Sequence, residues 1–158
     1  MAITVPEDEV AAVRERVRSA GQRLVFTNGC FDLLHPGHLR FLARCRALGD
    51  LLWVGLNGDQ SVRTLKGPGR PVMPEAERAY HLASLRAVDL VTVFPTTRVT
   101  GLLESIRPDI YAKAADYSWD TLDEAEKAVL IETGAKVEFL PYESGFSTTG
   151  LVASIRNS

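Results

Sequence analysis

The sequence predicts an α/β protein with a single Rossmann-like open parallel sheet and helices on both faces. Short apolar runs at Leu24 to Thr27 and Leu51 to Asn57 have the length of strands that are buried on both faces. These runs alternate with helix-length amphipathic stretches, which is the pattern of right-handed βαβ units. A chain of 158 residues is long enough for one such domain. We therefore expect a single domain over residues 1–158, with a core at 22–156.

The first predicted element is a helix within residues 1–21. The segment Thr4 to Glu7 has the pattern of a capping box with an early proline. Three valines then recur at helical spacing, and Gly21 ends the run; they are Val10, Val13 and Val17. This helix is expected to lie on the outside of the core.

The next helix is predicted to open at His38, just after the strand at Leu24 to Thr27. Its inward residues are expected to be Leu39, Leu42, Ala43 and Leu48, with an end near Gly49. After the strand at Leu51 to Asn57, the segment Lys66 to Pro71 is too rich in glycine and proline for a helix or a strand. We expect it to be a mobile loop that carries cations over a ligand.

The remaining chain continues the alternation of helices and strands. The predicted elements are a helix from Glu75 to about Leu85, a strand at Leu90 to Phe94, a helix near Val99 to Ile106, a strand at Ile110 to Lys113, a helix around Asp123 to Thr133, a strand at Val137 to Leu140 and a helix from about Thr148 to Arg156. Ligands of open parallel sheets bind beyond the carboxyl ends of the strands.

Charge and composition exclude several classes of partner. A formal net charge of -2 and a pI near 5.9 lack the basic surface that a general nucleic-acid binder requires. The apolar runs are strand-sized and the first residues do not resemble a signal peptide, so we expect no membrane partner and a cytoplasmic location. Cys30 and Cys45 show neither metal-ligand nor disulfide-framework spacing, so free thiols and no protein metal site are expected.

His35 and His38 lie at the mouth of the predicted helix, three residues apart. Both imidazoles can converge on one point, where the first-turn N–H groups favour negative charge. Pro36 fixes one backbone dihedral and Gly37 lets a ligand approach the backbone closely. This arrangement predicts a phosphate site, although two such histidines are also compatible with a capping or surface pair. No dinucleotide-binding glycine pattern and no Walker P-loop occurs in the chain.

Taken together, residues Thr27 to His38 resemble the nucleotidyltransferases of the H-x-G-H class, a cytidylyltransferase-like superfamily. The pattern T-x-G-x-F-D-x-x-H-x-G-H is present at every fixed position. Further matching segments follow in the expected order, so that the resemblance covers residues 22–156; they are Asn57-Gly58-Asp59, Leu65 to Val72, Glu77-Arg78, Arg107-Pro108-Asp109 and Gly145 to Thr149.

Within this class, the chain is most similar to the adenylyltransferase that makes ADP-heptose from heptose 1-phosphate, as a single chain or as half of a sugar kinase fusion. The resemblance implies transfer of an adenylyl group from ATP to a sugar 1-phosphate, with Mg²⁺ on the triphosphate and release of pyrophosphate. One alternative is a CTP-dependent cytidylyltransferase that acts on a polyol phosphate such as glycerol 3-phosphate. Another is a nucleotide-binding module without turnover.

The resemblance also implies roles for individual residues. His35, His38 and Lys66 would act on the triphosphate and on charge at the α-phosphorus. The implied nucleotide-binding residues are Thr27, Asn28, Gly29, Cys30, Phe31, Gly37, Asp116, Ser147, Thr148 and Thr149, with Asp32 supporting the turn. The implied acceptor-binding residues are Asn57, Asp59, Arg70 and Arg78, the arginines through bidentate contacts to phosphate.

One segment departs from the pattern of the sugar enzymes. Where they commonly have Lys-Gly-Gly-Asp-Tyr, this chain has Ala114 and Ala115 between Lys113 and Asp116. The resemblance places this loop against the base and the acceptor, so the added methyl groups bear on which base and sugar fit. It also implies a homodimer. Since the chain has no room for a kinase domain, a separate sugar kinase is expected to supply the acceptor.

Overall fold

The computed structural model of the chain describes residues 1–141 and 145–157. Its strands are β1 (Ile3–Thr4), β2 (Leu24–Gly29), β3 (Leu51–Asn57), β4 (Leu90–Phe94), β5 (Ile110–Ala114) and β6 (Lys136–Leu140). Its helices are α1 (Val10–Ser19), α2 (Pro36–Arg46), α3 (Asp59–Lys66), α4 (Glu75–Ala83), α5 (Thr100–Ile106), α6 (Glu124–Thr133) and α7 (Thr148–Arg156), with short 3-10 turns at Glu7–Glu9 and Trp119–Thr121.

All strand pairs are parallel, and the six strands lie in the order β1-β4-β3-β2-β5-β6. One apolar cluster fills the face covered by α1, α5 and α6, and a second fills the face covered by α2 and α4. The predicted open parallel sheet with helices on both faces is thus confirmed. In the part of the chain that the structure describes, no helix has the length and apolar character needed to cross a bilayer.

The N-terminal helix begins later in the chain than predicted. Ile3 and Thr4 form the edge strand β1, in register with Leu90 and Val91, and α1 begins only at Val10. Val5 explains the difference, because its N–H donates to the Val91 carbonyl at 2.8 Å and its side chain is buried. Pairing with the sheet edge satisfies more backbone groups than a local cap would. The three valines that recur at helical spacing, Val10, Val13 and Val17, are buried.

Helix α2 also differs in detail from the prediction. It begins at Pro36, two residues before His38, and ends at Arg46. Its buried stripe contains Phe41, Leu42 and Cys45, whereas Leu39 is 41% exposed. Ala43, which was also predicted to face inward, is exposed as well, so the buried face of α2 is rotated from the predicted one. The stretch before Lys66, for which no element was predicted, forms α3.

The strand order fixes where a ligand binds. The chain leaves β2 for β3 and β4 on one side, while β5 and β6 lie on the other. The order therefore reverses between β2 and β5, and the crevice beyond the carboxyl ends of these two strands is the switch point where open α/β sheets bind ligands. Asn28 and Lys113 lie at these strand ends.

Candidate active site

The loop that joins β2 to α2 has a strained backbone. Phe31 and Leu33 adopt positive φ angles of 43° and 54°, in the left-handed region that side chains rarely occupy. Gly29 makes the turn feasible, because a Cβ at this position would lie 3.0 Å from Cε2 of the Phe31 ring. The loop holds Asp32 between the two strained residues with its side chain buried.

The two histidines predicted at the helix mouth are stacked on each other. Their ring centroids are 3.8 Å apart, and His35, the N-cap residue of α2, is only 4% exposed. The backbone N–H of His35 donates to Nδ1 of His38 at 3.4 Å. Because Nδ1 of His38 accepts, the neutral ring carries its proton on Nε2. His38 therefore offers an N–H donor beyond the helix N-terminus.

Burial also determines the charge of the pair. Desolvation and, to a smaller extent, the neighbouring His35 lower the pKa of His38 to about 4, while Asp32 opposes the shift. Burial lowers the pKa of His35 as well. Both rings are thus neutral near pH 7, and they act as hydrogen-bond donors and not as cations. Neutral N–H donors of this kind stabilise negative charge that develops in a transition state.

A second helix N-terminus lies beside the first. Ser147 caps α7, because its Oγ accepts the N–H of Gly150 at 2.9 Å. The hydroxyl of Thr148 donates to the backbone carbonyl of Asp32 at 2.6 Å. Phe146 stacks on the His35 ring at a centroid distance of 6.1 Å. The first turns of α2 and α7 therefore meet at one place, where their free N–H groups and dipoles favour an anion.

Asp32 anchors the segment that follows the glycine-rich loop. Its carboxylate accepts hydrogen bonds from Nη1 of Arg70 at 2.9 Å and from the N–H groups of Val72 and Met73 at 2.8 and 3.1 Å. Arg70 also donates to the hydroxyl of Thr149 at 3.3 Å. Asp32 thus supports not only its own turn but a neighbouring loop, and the Arg70 guanidinium is already paired with a carboxylate.

Lys66 is the last residue of α3 and is exposed. Gly67 and Gly69 follow with φ angles of 92° and 83°, which end the helix and turn the chain. Burial raises the pKa of the Cys30 thiol, and the charge of Lys66 is the largest influence that opposes this rise. The Lys66 ammonium is therefore close enough to the β2–α2 loop to act electrostatically on Cys30.

Arg78 does not fit its predicted role at the acceptor phosphate. The residue is 1% exposed, and all three guanidinium nitrogens donate to protein oxygens. The acceptors are the carbonyls of Met73, Cys30 and Asn57 and the carboxylate of Asp59. Arg78 instead locks the ends of β2 and β3 to the start of α4. A planar guanidinium supplies such spread donors, which makes it suited to this structural task.

Three other residues that were predicted to contact a ligand are bonded to the protein instead, and two of them, Thr27 and Asn57, are buried. Thr27 is 1% exposed and its hydroxyl donates to the Ala112 carbonyl at 2.8 Å, across the β2–β5 pair. Asn57 is 3% exposed and donates to Ser61, while Asp59 pairs with Arg78. Their side chains form a layer that supports the site from beneath. Residues at strand ends either bind a ligand or support the residues that do, and the sequence pattern alone does not distinguish these two roles.

The sequence prediction missed a polar cluster between β2, β5 and α6. The Asn28 side-chain oxygen lies 2.7 Å from the Tyr111 hydroxyl and accepts from Nζ of Lys113 at 3.2 Å. The Tyr111 hydroxyl is also 3.2 Å from a carboxylate oxygen of Glu126. Burial lowers the pKa of Lys113, opposed by the charges of Glu126 and Asp116. The sequence feature that indicates this cluster is Lys113, a lysine within the mostly apolar strand β5.

The loop after β5 is open to solvent. Ala115 and Asp116 are exposed, and Ala115 donates its N–H to the Leu140 carbonyl at 2.7 Å. Tyr117 and Trp119 are 45% and 41% exposed. These rings lie close in sequence to the switch point and leave aromatic surface available.

The residues of the site do not form a metal cage. Within residues 1–141 and 145–157, no three His, Cys, Asp or Glu side chains come together in a way that would hold an ion. The Asp32 carboxylate, at the centre of the site, is occupied by Arg70 and two backbone N–H groups. A Mg²⁺ ion at this site would therefore depend on phosphate oxygens of a bound nucleotide.

The chain is similar to known proteins in both sequence and fold. A model of the cytidylyltransferase-like family matches residues 26–152. The protein named Bifunctional protein HldE from Acidiphilium cryptum is 49% identical over 97% of the chain, and that from Geotalea uraniireducens is 45% identical over 94%. The chain spans 31% and 30% of the length of these two relatives. A crystal structure titled as the lipopolysaccharide core biosynthesis protein of Thermoplasma volcanium superposes with a TM-score of 0.64 at 27% identity, covering 78% of this chain and 98% of that one.

Proposed function

We propose that the chain, which belongs to the cytidylyltransferase-like family, transfers the adenylyl group of ATP to a heptose 1-phosphate. A phosphate oxygen of the acceptor attacks the α-phosphorus of ATP. The bond from this phosphorus to the oxygen that bridges to the β-phosphorus breaks, and pyrophosphate leaves with that electron pair. The products are an ADP-sugar and pyrophosphate, which makes the chain a source of a lipopolysaccharide precursor.

The observation that carries the proposal is the meeting of two helix N-termini around His35 and His38. The acceptor phosphate is already an anion near pH 7, so the reaction requires no general base. It requires alignment and stabilisation of charge at phosphorus. Neutral imidazoles with N–H donors meet that need, since they stabilise the added charge of the transition state without a proton transfer. In this proposal Lys66 and the N–H groups after Ser147 hold the β- and γ-phosphates.

The choice of ATP and of a heptose rests on similarity. The chain resembles ADP-heptose-forming adenylyltransferases in its residues from Asn28 to Asp32 and in the loop after Lys66. The relatives whose printed name is bifunctional contain a region like this chain as about a third of their length.

The proposed reaction requires a metal ion and a supply of phosphorylated sugar. Mg²⁺ bound to the triphosphate would neutralise part of its charge. The acceptor requires a kinase that phosphorylates the sugar, and ATP as donor indicates a cytoplasmic reaction. We also propose a homodimer, on the resemblance alone.

The test is pyrophosphate release by the purified protein with Mg²⁺. ATP and CTP are each offered with heptose 1-phosphate, other sugar 1-phosphates and glycerol 3-phosphate. Turnover of ATP with heptose 1-phosphate supports the proposal. Turnover of CTP with glycerol 3-phosphate would show instead that the protein is a cytidylyltransferase. Nucleotide binding without turnover of any acceptor on the panel would favour a binding module.

A further inference from the structure

Lys113 is a buried cation at the switch point of the sheet. It lies at the carboxyl end of β5, it is 9% exposed, and its Nζ contacts the side chain of Asn28 at the end of β2. We propose that the ammonium of Lys113 binds a phosphate oxygen of the substrates in the crevice between β2 and β5. The inference rests on the proposed function and adds a binding residue to its site.

The protein leaves the charge of Lys113 without a direct partner. In residues 1–141 and 145–157, its one hydrogen-bond acceptor is the amide oxygen of Asn28, and no carboxylate forms an ion pair with it. An ammonium has three N–H donors, so two remain for a ligand. Its other neighbours are the rings of Tyr111 and Tyr117, with centroids at 5.2 and 4.7 Å. These rings stabilise a cation but do not neutralise it.

The other cations of the site are placed differently. Arg70 is paired with Asp32 and Arg78 with Asp59. The histidines are neutral near pH 7 for the reason given above. A triphosphate and an acceptor phosphate nevertheless bring several negative charges, which must be balanced. Lys66 on its loop and Lys113 at the strand end form no direct ion pair with a carboxylate of the described residues, although Glu126 and Asp116 lie near enough to Lys113 to act on its charge.

Burial gives this position a thermodynamic reason to bind an anion. A buried ammonium without a carboxylate costs stability, and an apolar residue of similar length would pack between the two tyrosines at lower cost. A phosphate oxygen that approaches Lys113 removes this penalty, so the contact contributes more than the same contact at the surface. The phosphate can belong to ATP or to the acceptor, and both chemistries fit one ammonium.

The test compares Lys113→Met with the wild-type protein and with Lys127→Met as a matched control. Lys127 is a lysine of α6 whose side chain is 13% exposed and is already paired with the carboxylate of Glu124. Calorimetry measures the affinity for α,β-methylene-ATP with Mg²⁺ and for adenosine, and steady-state assays measure KM for the acceptor. We expect a loss of at least about tenfold for one phosphate ligand in Lys113→Met alone, with adenosine affinity unchanged.

The measurements of nucleotide affinity and of acceptor KM identify which phosphate Lys113 binds. Weaker binding of the ATP analogue assigns Lys113 to the nucleotide, and a raised acceptor KM with normal analogue binding assigns it to the acceptor. Values within twofold of wild type in both arms would overturn the inference and leave Lys113 a structural partner of the tyrosines. Lys113→Arg, which keeps the charge, should restore part of the affinity. If Lys113→Met does not fold, Lys113→Gln takes its place, since it keeps an N–H donor for Asn28.

Failure of the proposed function and failure of this inference give different experimental results. Absence of turnover in the wild-type protein counts against the function, whereas the inference is judged by the ratio of variant to wild-type affinity. The nucleotide arm does not require turnover.

Discussion

The carboxylate of Asp32 and the guanidinium of Arg70 form a hydrogen-bonded ion pair at 2.9 Å, with both side chains largely removed from solvent. The pair joins the strained loop after β2 to the segment that follows the glycine-rich turn. Because the Asp32 carbonyl also accepts from Thr148, one residue ties together the N-termini of α2 and α7 and the base of the Lys66 loop. The geometry of the proposed phosphate site therefore depends on it.

Replacing Asp32 with asparagine should lower both stability and nucleotide affinity. The amide leaves Arg70 without its charge partner in a buried position, which costs about 1–3 kcal/mol. Urea unfolding measures the loss, with Asp120→Asn as a control because Asp120 is exposed. An Asp32→Asn protein as stable as wild type, with unchanged KM for ATP, would contradict the role assigned to the pair.

Replacing Arg78 with methionine should destabilise the fold without acting through a substrate. The change leaves the Asp59 carboxylate and three carbonyls without their donor, and leaving such acceptors unpaired costs about 1–3 kcal/mol. Arg86→Met, at an exposed position just past α4, is the control. A variant that keeps its unfolding free energy but shows a raised acceptor KM would restore the original prediction of phosphate binding.

These residues show what could be predicted from the sequence. The stretch from Thr27 to His38 was predicted to form a turn and a helix mouth because glycine, proline and histidine carry local conformational information. The edge strand β1 was missed because its backbone partners lie on β4, far away in sequence. Arg78 was misplaced for a similar reason. Its burial depends on three segments that only the folded chain brings together, and a sequence pattern does not distinguish a saturated guanidinium from a free one.

His38→Ala should lower kcat by at least about two orders of magnitude with little loss of stability, because in the proposed reaction it removes a donor to the charge that develops on the α-phosphorus. His38→Gln can place an amide N–H near the position of Nε2 and should retain part of the activity. The third histidine, His81, lies on α4 and provides the matched control His81→Ala. Steady-state kinetics of pyrophosphate release measure the effect. An unchanged kcat in His38→Ala would remove His38 from the reaction.

The low pKa of His38 predicts how stability depends on pH. In the folded protein burial lowers this pKa from 6.5 to about 4. Between these values the unfolded chain binds more protons, so the free energy of unfolding falls as pH drops from 6.5 to 4. The contribution reaches about 3 kcal/mol at full protonation, and His35 adds in the same direction. Urea unfolding at pH 7 and pH 5 should show a smaller difference for His38→Gln than for wild type. Equal differences would place the His38 pKa near its ordinary value.

Bound triphosphate should protect the Lys66 loop from trypsin. Lys66 is exposed at the end of α3 and is followed by glycines, so the bond after it is accessible in the free protein, whereas Pro71 blocks cleavage after Arg70. If the ammonium folds over the β- and γ-phosphates, α,β-methylene-ATP with Mg²⁺ should slow cleavage after Lys66 by at least about fivefold, because cleavage follows the population of open loop. Adenosine, which has no phosphates, should not slow it. Cleavage after the exposed Arg86, which precedes the amino end of β4, reports general stabilisation in the same digest. Equal protection at both bonds would attribute the effect to overall stability, and no protection at Lys66 would exclude closure of this loop over the nucleotide.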